Sequence, residues 1–153
     1  MAGTIRRGGQ QDVPFMRDML RHAYYWRWAD EELLDLPVGR YVDRWGRPGD
    51  TALVVIERFH PVGAAWYRLF PASAPGYGFV DEQTPELTIA VVPSARGHGT
   101  GAELLEALLA RARADGFEQV SLSAEDGQTG FYEKHGFHPV EDDDGTVTML
   151  ATL

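Results

Sequence analysis

The stretch that decides the fold is Val91-Val92-Pro93-Ser94-Ala95-Arg96-Gly97-His98-Gly99-Thr100-Gly101. Residues 86–92, which lead into it, are almost all apolar or β-branched, as in a buried strand. Just beyond it, leucines recur at helical spacing from Leu104 to Leu109. A glycine-rich turn between a strand and a helix leaves backbone N–H groups free at the positive end of the helix dipole. The stretch therefore predicts an anion-binding site, to which Arg96 adds a positive charge.

Two other phosphate-binding motifs compete for this stretch. A Walker A loop is excluded, because no Gly-Lys-Ser or Gly-Lys-Thr sequence follows the turn. The dinucleotide fingerprint G-x-G-x-x-G/A does fit Gly97 to Ala102, with Glu125 or Asp126 as the ribose ligand. However, residues 93–96 separate the strand from the first glycine, and too little chain remains for the second half of a doubly wound sheet. The dinucleotide interpretation is therefore the weaker one.

The rest of the chain predicts one mixed domain over residues 1–153. Its length is close to the commonest domain size, and 44% of its residues are hydrophobic, which suits a single core. The 17 Gly and 9 Pro indicate many tight connections rather than a plain helix bundle. Periodicity predicts helices after Asp12 (to His22 or Trp26), between Gly101 and Gly116, and at 127–135. Strands are predicted at 4–7, 51–57, 62–70, 86–92, 119–123, 136–140 and 146–152.

Composition excludes several classes of partner. The sequence has 14 Lys and Arg against 23 Asp and Glu, a formal net charge of −9, so its field repels nucleic acids and anionic membranes. It has no cysteine, which excludes an acyl-cysteine intermediate and suits a reducing cytoplasm. Residues 1–10 lack the apolar core of a signal peptide, and no run of about 20 apolar residues occurs. We expect a cytoplasmic protein that binds neither nucleic acid nor membrane, with a homodimer as the commonest assembly of such proteins.

A second segment shares a family resemblance with the glycine-rich stretch. Val92 to Gly101, followed by two leucines, closely resembles the coenzyme A pyrophosphate loop of the GNAT superfamily of N-acetyltransferases. Phe131-Tyr132-Glu133-Lys134-His135-Gly136-Phe137 resembles that superfamily's downstream F/L-Y-E-K-x-G-F segment, at the usual distance from the loop. Many members carry an asparagine seven residues before the tyrosine, where this chain has Glu125. The resemblance implies an α/β (α+β) fold in which helices flank a mixed, mostly antiparallel central sheet.

The resemblance also implies acetyl-CoA as the cosubstrate and a set of coenzyme contacts. The strand that ends at Val92 would part from its neighbour, so that its backbone pairs with pantetheine and one N–H polarises the thioester carbonyl. His98 stands at a variable position of the loop. The alternative interpretation is that it is only exposed, because the backbone supplies the phosphate contacts. The residues implied to bind the coenzyme are Val91, Val92, Arg96, Gly97, His98, Gly99, Thr100, Gly101 and Glu125.

Two side chains are predicted to carry the proton transfers. Tyr132 stands where the tyrosines of the family reach the coenzyme sulfur, so it is the predicted general acid, with simple packing as the alternative. Glu86 opens the central strand and is the predicted general base, acting through water, with a solvated carboxylate as the alternative. An amine has a pKa near ~10 and must lose a proton before it attacks, whereas a thiolate leaving group, near ~8.5, needs less help.

The acceptor is predicted to be a small-molecule amine, bound where the segment after the first helix meets loop 71–85. Its predicted contacts, Tyr24, Trp28, Asp30 and Trp66, are aromatic and acidic, which suits a cation; core packing is the alternative for the aromatic residues. The five histidines lack metal-ligand spacing, so no metal is predicted. Two other classes stay open: a non-catalytic acyl-CoA-binding or regulatory module, and a dinucleotide-binding oxidoreductase fragment.

Overall fold

A seven-stranded sheet runs through the computed structural model, which describes residues 3–24, 37–143 and 145–153. Its strand order is β1-β2-β3-β4-β5-β7-β6. Neighbouring strands are antiparallel except for the parallel pair of β4 and β5. The mixed, mostly antiparallel sheet predicted from the sequence is therefore confirmed. The strands are β1 (Thr4–Arg7), β2 (Thr51–Glu57), β3 (His60–Arg68), β4 (Glu86–Val91), β5 (Gln119–Glu125), β6 (Phe137–Asp143) and β7 (Thr146–Thr152).

Helices lie on both faces of the sheet. Within the described residues they are α1 (Val13–Tyr24), α2 (Thr100–Ala114) and α3 (Thr129–Glu133). Ala64 and Trp66 of β3 share a core cluster with α1, whereas Ala65 and Tyr67 share one with α2. Because successive side chains of a strand point to opposite faces, α1 and α2 cover opposite sides of the sheet. None of these helices has the length and hydropathy needed to cross a bilayer.

The observed elements differ from the predicted ones mainly at their ends. The strand predicted at 62–70 lies at 60–68, and the strand predicted at 119–123 continues to Glu125. The short helix predicted at 127–135 is a 3₁₀ turn, Asp126–Gln128, followed by α3. Gly127 and Gly130 lower the helix propensity of this segment, which accounts for the short helix.

The Asp12 side chain lies between β1 and the start of α1. It is buried, and its carboxylate accepts hydrogen bonds from the Arg6 guanidinium, at 2.8 and 2.9 Å, and from the Gly9 N–H at 2.8 Å. The hydrogen bond from Arg6 lowers the pKa of Asp12 below its usual value. The resulting stabilisation is present above the unfolded pKa, near ~4, and is lost as the pH falls through the lower folded value. Asp12 thus ties β1 to the start of α1.

The turn between β2 and β3 gives a prediction about stability. Its two central residues, Arg58 and Phe59, both have left-handed backbones, with φ of 50° and 70°, and the Phe59 side chain is 97% exposed. Left-handed backbone costs a residue with a Cβ about 1–2 kcal/mol, and glycine avoids most of that cost. Phe59→Gly is therefore expected to raise the free energy of unfolding by about 0.5–1 kcal/mol, net of the added flexibility of the unfolded chain. Urea denaturation measures the change.

The matched control for this turn is Phe59→Ala. Alanine removes the exposed ring but keeps a Cβ at the same left-handed position, so its stability is expected to stay close to that of the wild type. If alanine and glycine stabilise the protein equally, the gain comes from loss of the ring and not from relief of the backbone.

Candidate active site

The site is centred on a gap between β4 and β5. These parallel strands are paired only at Glu86 and Ser121, where the Ser121 N–H donates to the Pro85 carbonyl at 3.0 Å, and beyond that point they part. Successive residues of a strand direct their backbone groups to alternate edges, so every second residue after Pro85 faces the gap. Those residues are Leu87, Ile89 and Val91. The gap therefore offers an open strand edge to which an extended chain with amide groups can add.

The two valines predicted to contact the coenzyme differ in orientation. The Val91 carbonyl faces the gap, where it accepts a hydrogen bond from Arg96 Nε at 2.9 Å. The Val92 N–H donates to the Val62 carbonyl at 2.8 Å and so faces the opposite edge. The predicted pairing of the Val92 backbone with pantetheine is therefore wrong for the Val92 N–H, which is bound to β3. Counting every second residue along β4 selects Leu87, Ile89 and Val91 as the residues whose backbone groups face the gap, and it excludes Val92.

The glycine-rich stretch forms a tight turn into α2. Gly97 and Gly99 have φ of 84° and 80°, in the left-handed region that favours glycine. The first helical hydrogen bond joins the Glu103 N–H to the Gly99 carbonyl at 3.0 Å. Among the described residues, the N–H groups of 97–102 have no acceptor, and a Cβ added to either glycine would meet no atom within 4 Å. Open space above unpaired N–H groups at a helix start fits the predicted pyrophosphate site.

The side chains of this stretch contribute unequally. Arg96 lies against the end of β4 through its bond to the Val91 carbonyl, which keeps its positive charge beside the gap. His98 is exposed, which agrees with the alternative that it simply faces solvent. Thr100 and Gly101 form the first turn of α2 and are partly buried. Backbone groups, more than side chains, would therefore form the predicted anion site.

Tyr132 lies in α3 among aromatic neighbours. Its ring makes edge-to-face contacts with Phe131 and Phe137, with ring centres 5.1 and 6.0 Å apart. Burial raises the pKa of Tyr132 to about 12, so the phenol keeps its proton through the neutral range. Its hydroxyl has no hydrogen-bond partner among the described residues. A protonated phenol without an internal partner can donate to a bound group, and its role as general acid stays a prediction.

Glu86 is buried and not solvated. Only 1% of it is exposed, and the Tyr41 hydroxyl donates to its Oε2. The same hydroxyl accepts the Tyr77 N–H at 2.8 Å. A Cβ on Gly76 would lie 3.0 Å from Glu86 Cδ, so loop 71–85 packs directly on the carboxylate. The alternative of a solvated strand-end carboxylate is therefore wrong, and Tyr41 holds the carboxylate in one orientation.

Tyr41 is held in turn by side chains of β3. The Trp66 indole N–H donates to the Tyr41 carbonyl at 2.9 Å. Arg68 Nη1 donates to the carbonyls of Arg40 and Asp43 at 2.7 and 2.8 Å. Sequence reasoning missed Tyr41, because no local pattern connects it to a glutamate 45 positions away. Trp66 was predicted to line the acceptor pocket, but it is fully buried and packs in the core, where it positions Tyr41.

The structure describes only part of the other predicted acceptor contacts. Trp28 and Asp30 lie outside the described residues, and of Tyr24 only the backbone, at the end of α1, is described. Loop 71–85 has no helix or strand and crosses the sheet beside the gap. A Cβ on Gly78 would lie 2.5–2.8 Å from backbone atoms of Leu122 and Ser123, which shows how closely the loop approaches β5. The loop thus covers the α1 face at the base of the gap.

An acidic groove lies beside α3. It is open, with a volume of about 610 Å³, and Val140 and Val147 form part of its apolar wall. Its charged lining consists of Asp126, Glu133, Glu141 and Asp142. Glu125, the predicted pantetheine contact, precedes this lining as the last residue of β5 and is partly buried opposite Thr146. Four carboxylates therefore lie next to the helix that carries Tyr132.

Several solved structures share this fold. A ribosomal-protein-alanine N-acetyltransferase from Brucella melitensis is 24% identical, with a TM-score of 0.71 over 98% of this chain and 99% of that one. A PaiA N-acetyltransferase from Thermoplasma acidophilum, in complex with coenzyme A, is 16% identical, with a TM-score of 0.72 over 100% of both chains. A phosphinothricin acetyltransferase from Sinorhizobium meliloti, in complex with acetyl-CoA, is 21% identical, with a TM-score of 0.69 over 100% of this chain and 89% of that one. The fold is that of the acetyltransferases.

Sequence comparison identifies the family. The family model described as the acetyltransferase (GNAT) family matches residues 13–137. The chain therefore belongs to the GNAT acetyltransferase family, and the resemblance noted in the sequence is confirmed. No curated protein matches the sequence.

Proposed function

We propose that the protein transfers the acetyl group of acetyl-CoA to a primary amine by direct attack in a ternary complex. The observation that carries this proposal is the open edge of β4, which runs from the buried Glu86 to the unpaired N–H groups at the start of α2. These features together suit a long ligand with amide groups and a pyrophosphate at one end. Two of the similar solved structures contain coenzyme A or acetyl-CoA, which supports the choice of coenzyme.

The coenzyme is expected to bind mainly through the backbone. The N–H groups of 97–102 would hold the pyrophosphate, with Arg96 beside them. The backbone groups of Leu87, Ile89 and Val91 would pair with the pantetheine amides as a neighbouring strand does. One N–H of this edge would polarise the thioester carbonyl and stabilise the negative charge that develops on its oxygen.

The chemistry then needs one base and one acid. The amine nitrogen attacks the thioester carbonyl carbon, its proton passes through water to Glu86, and the carbon–sulfur bond breaks. Tyr132, whose phenol is protonated through the neutral range, gives its proton to the departing thiolate. The chain has no cysteine, so an acyl-cysteine intermediate cannot form, which supports direct attack of the amine on the coenzyme thioester.

The acceptor is proposed to be a small cationic amine with apolar character. The net charge of −9 and the acidic groove beside α3 favour approach of a cation, and aromatic faces attract ammonium groups by about 0.5–2 kcal/mol. A panel of amines, amino acids and basic peptides, assayed by release of free thiol from acetyl-CoA, tests this proposal. We expect kcat/KM to be highest for cationic amines and to fall as salt rises. Preference for an anionic acceptor, or indifference to salt, would contradict the acceptor proposal alone.

The predicted acid gives a direct test of the chemistry. Tyr132→Phe is expected to lower kcat by roughly ten- to a hundredfold, because a thiolate is already a good leaving group and needs little protonation. The KM for acetyl-CoA should not change, since the ring is kept. Thiol release under conditions where chemistry is rate-limiting measures the effect.

A matched control is Tyr67→Phe. Burial also raises the pKa of Tyr67 to about 12, but its hydroxyl donates to Asp115 at the far end of α2. This variant should keep the wild-type kcat. An unchanged kcat in Tyr132→Phe as well would assign Tyr132 to packing.

A further inference from the structure

Two buried hydroxyl groups lie at the base of the gap. Thr88 and Ser121 are 3% and 0% exposed, and neither Thr88 Oγ1 nor Ser121 Oγ has a hydrogen-bond partner among the described residues. Buried polar side chains are hydrogen-bonded in the large majority of cases, so each exception calls for a physical explanation. Two exceptions next to one another indicate a small polar ligand that both contact.

Both hydroxyls share a face of the sheet with Glu86. Thr88 is two residues beyond Glu86 on β4, and Ser121 is the residue of β5 that pairs with Glu86. Side chains two residues apart on a strand point to the same face, and neighbouring paired strands lie about 4.8 Å apart. The carboxylate and the two hydroxyls therefore converge where the strands begin to part.

The surroundings limit the size of the ligand. Loop 71–85 covers this point, with Gly76 packed on Glu86 and Gly78 packed on the backbone of β5. Neither glycine leaves room for a Cβ, since the added atom would meet others at 3.0 Å or less. A ligand beneath this cover must therefore be small, and a water molecule, which makes two to four hydrogen bonds, matches the polar groups that lie there.

We propose that Thr88 and Ser121 are positioning residues that hold a water molecule between Glu86 and the gap. This inference rests on the proposed function, in which Glu86 is the base. The acceptor ammonium gives a proton to the water oxygen while the water gives another to the Glu86 carboxylate. The water is thereby regenerated, and one proton moves from the amine to the carboxylate.

The charges around Glu86 are compatible with this role. Tyr41 donates to its carboxylate, and Tyr77 contributes its backbone N–H to Tyr41. Arg68 pairs with Glu86 across β3 and β4, but its guanidinium is bound by Asp50 at 2.7 and 2.9 Å. On the other side, α1 presents apolar residues to the sheet, namely Met16, Met19 and Leu20. The proposed water would carry the proton from the gap to the Glu86 carboxylate.

A crystal structure that resolves ordered water tests the site itself. The wild-type protein is expected to show a water within hydrogen-bond distance of both Thr88 Oγ1 and Ser121 Oγ, and Thr88→Val/Ser121→Ala is expected to lose it. Absence of that water from the wild type, or pairing of both hydroxyls with protein atoms, overturns the inference.

The pH dependence of kcat/KM tests the relay. The probe is the amine that the wild type acetylates fastest in the panel. Thr88→Val/Ser121→Ala is expected to lose about ten- to a hundredfold in kcat/KM at pH 7 and to approach the wild type as the pH nears the amine pKa of ~10. Close to half of the amine is then neutral, and that fraction needs no base. Thr88→Ser, which keeps a hydroxyl, should retain the wild-type profile.

The control variant is Ser123→Ala, which removes a hydroxyl from the same face of β5 farther along the gap and should leave the profile unchanged. If the double variant also keeps the wild-type profile while the wild type is active, the relay is overturned and the proposed function stands. If the wild type acetylates none of the amines, the proposed function fails and the relay fails with it.

Discussion

Asp50→Ala is expected to lower the free energy of unfolding by about 3–5 kcal/mol, the largest stability effect of any single change considered for this protein. Asp50 binds the Arg68 guanidinium with both carboxylate oxygens, and the two side chains are 2% and 0% exposed. It also accepts the N–H groups of Gly46 and Arg47, each at 2.9 Å. Alanine would leave a buried guanidinium without its counter-ion. Urea denaturation at neutral pH measures the loss.

The control for this ion pair is Arg111→Ala, which breaks the exposed pair of Arg111 and Asp115, at 3.3 Å. Water and salt screen such a pair, so the change should be about 0.5 kcal/mol or less. Asp50→Asn keeps the shape and part of the hydrogen bonding, and should fall between alanine and the wild type. If Asp50→Ala remains within about 1 kcal/mol of the wild type, the ion pair does not anchor the segment that carries Tyr41.

Gly99→Asp is expected to abolish the stabilisation of the protein by acetyl-CoA. At a ligand concentration about 100 times its Kd, the coenzyme should stabilise the wild type by ~2.7 kcal/mol, which appears as a rise in Tm. Gly99 is the residue that precedes the first turn of α2, so an aspartate there would accept the free N–H groups and repel the pyrophosphate. The protein without coenzyme should stay folded, because a Cβ at this position meets no atom within 4 Å.

Gly99→Asn is the matched control, since asparagine has the same shape and the same backbone cost at φ 80° but carries no charge. It should keep most of the rise in Tm. Equal loss in both variants would assign the effect to the backbone, and full retention of the rise in Gly99→Asp would remove the glycine-rich turn from the coenzyme site.

The parts of the site that sequence predicted are those determined by local chain chemistry. Left-handed glycines at 97 and 99 and the leucines of α2 lie within one short stretch, so the turn and the helix start were predictable from their order. Strand β2, at 51–57, was predicted with its observed ends, because a run of β-branched and apolar residues follows Gly49 and Asp50.

The parts that sequence could not predict depend on contacts between distant segments. Glu86 was interpreted from its place at a strand end, where exposure is common, but loop 71–85 and Tyr41 bury it. Trp66 and Tyr67 are adjacent aromatic residues whose side chains pack on opposite faces of the sheet, and only the structure shows which one faces α1. Tertiary packing, which single-residue preferences do not encode, decided both cases.

Acetyl transfer to an amine is tested most directly by incubating the wild-type protein with acetyl-CoA that carries a labelled acetyl group and with the preferred amine of the panel. Mass spectrometry of the amine and a thiol assay of the coenzyme then give the two products. The account predicts labelled amide and free coenzyme A in equal amounts, and neither product in the absence of protein. Release of thiol without labelled amide, or binding of acetyl-CoA with no product from any amine, would contradict it.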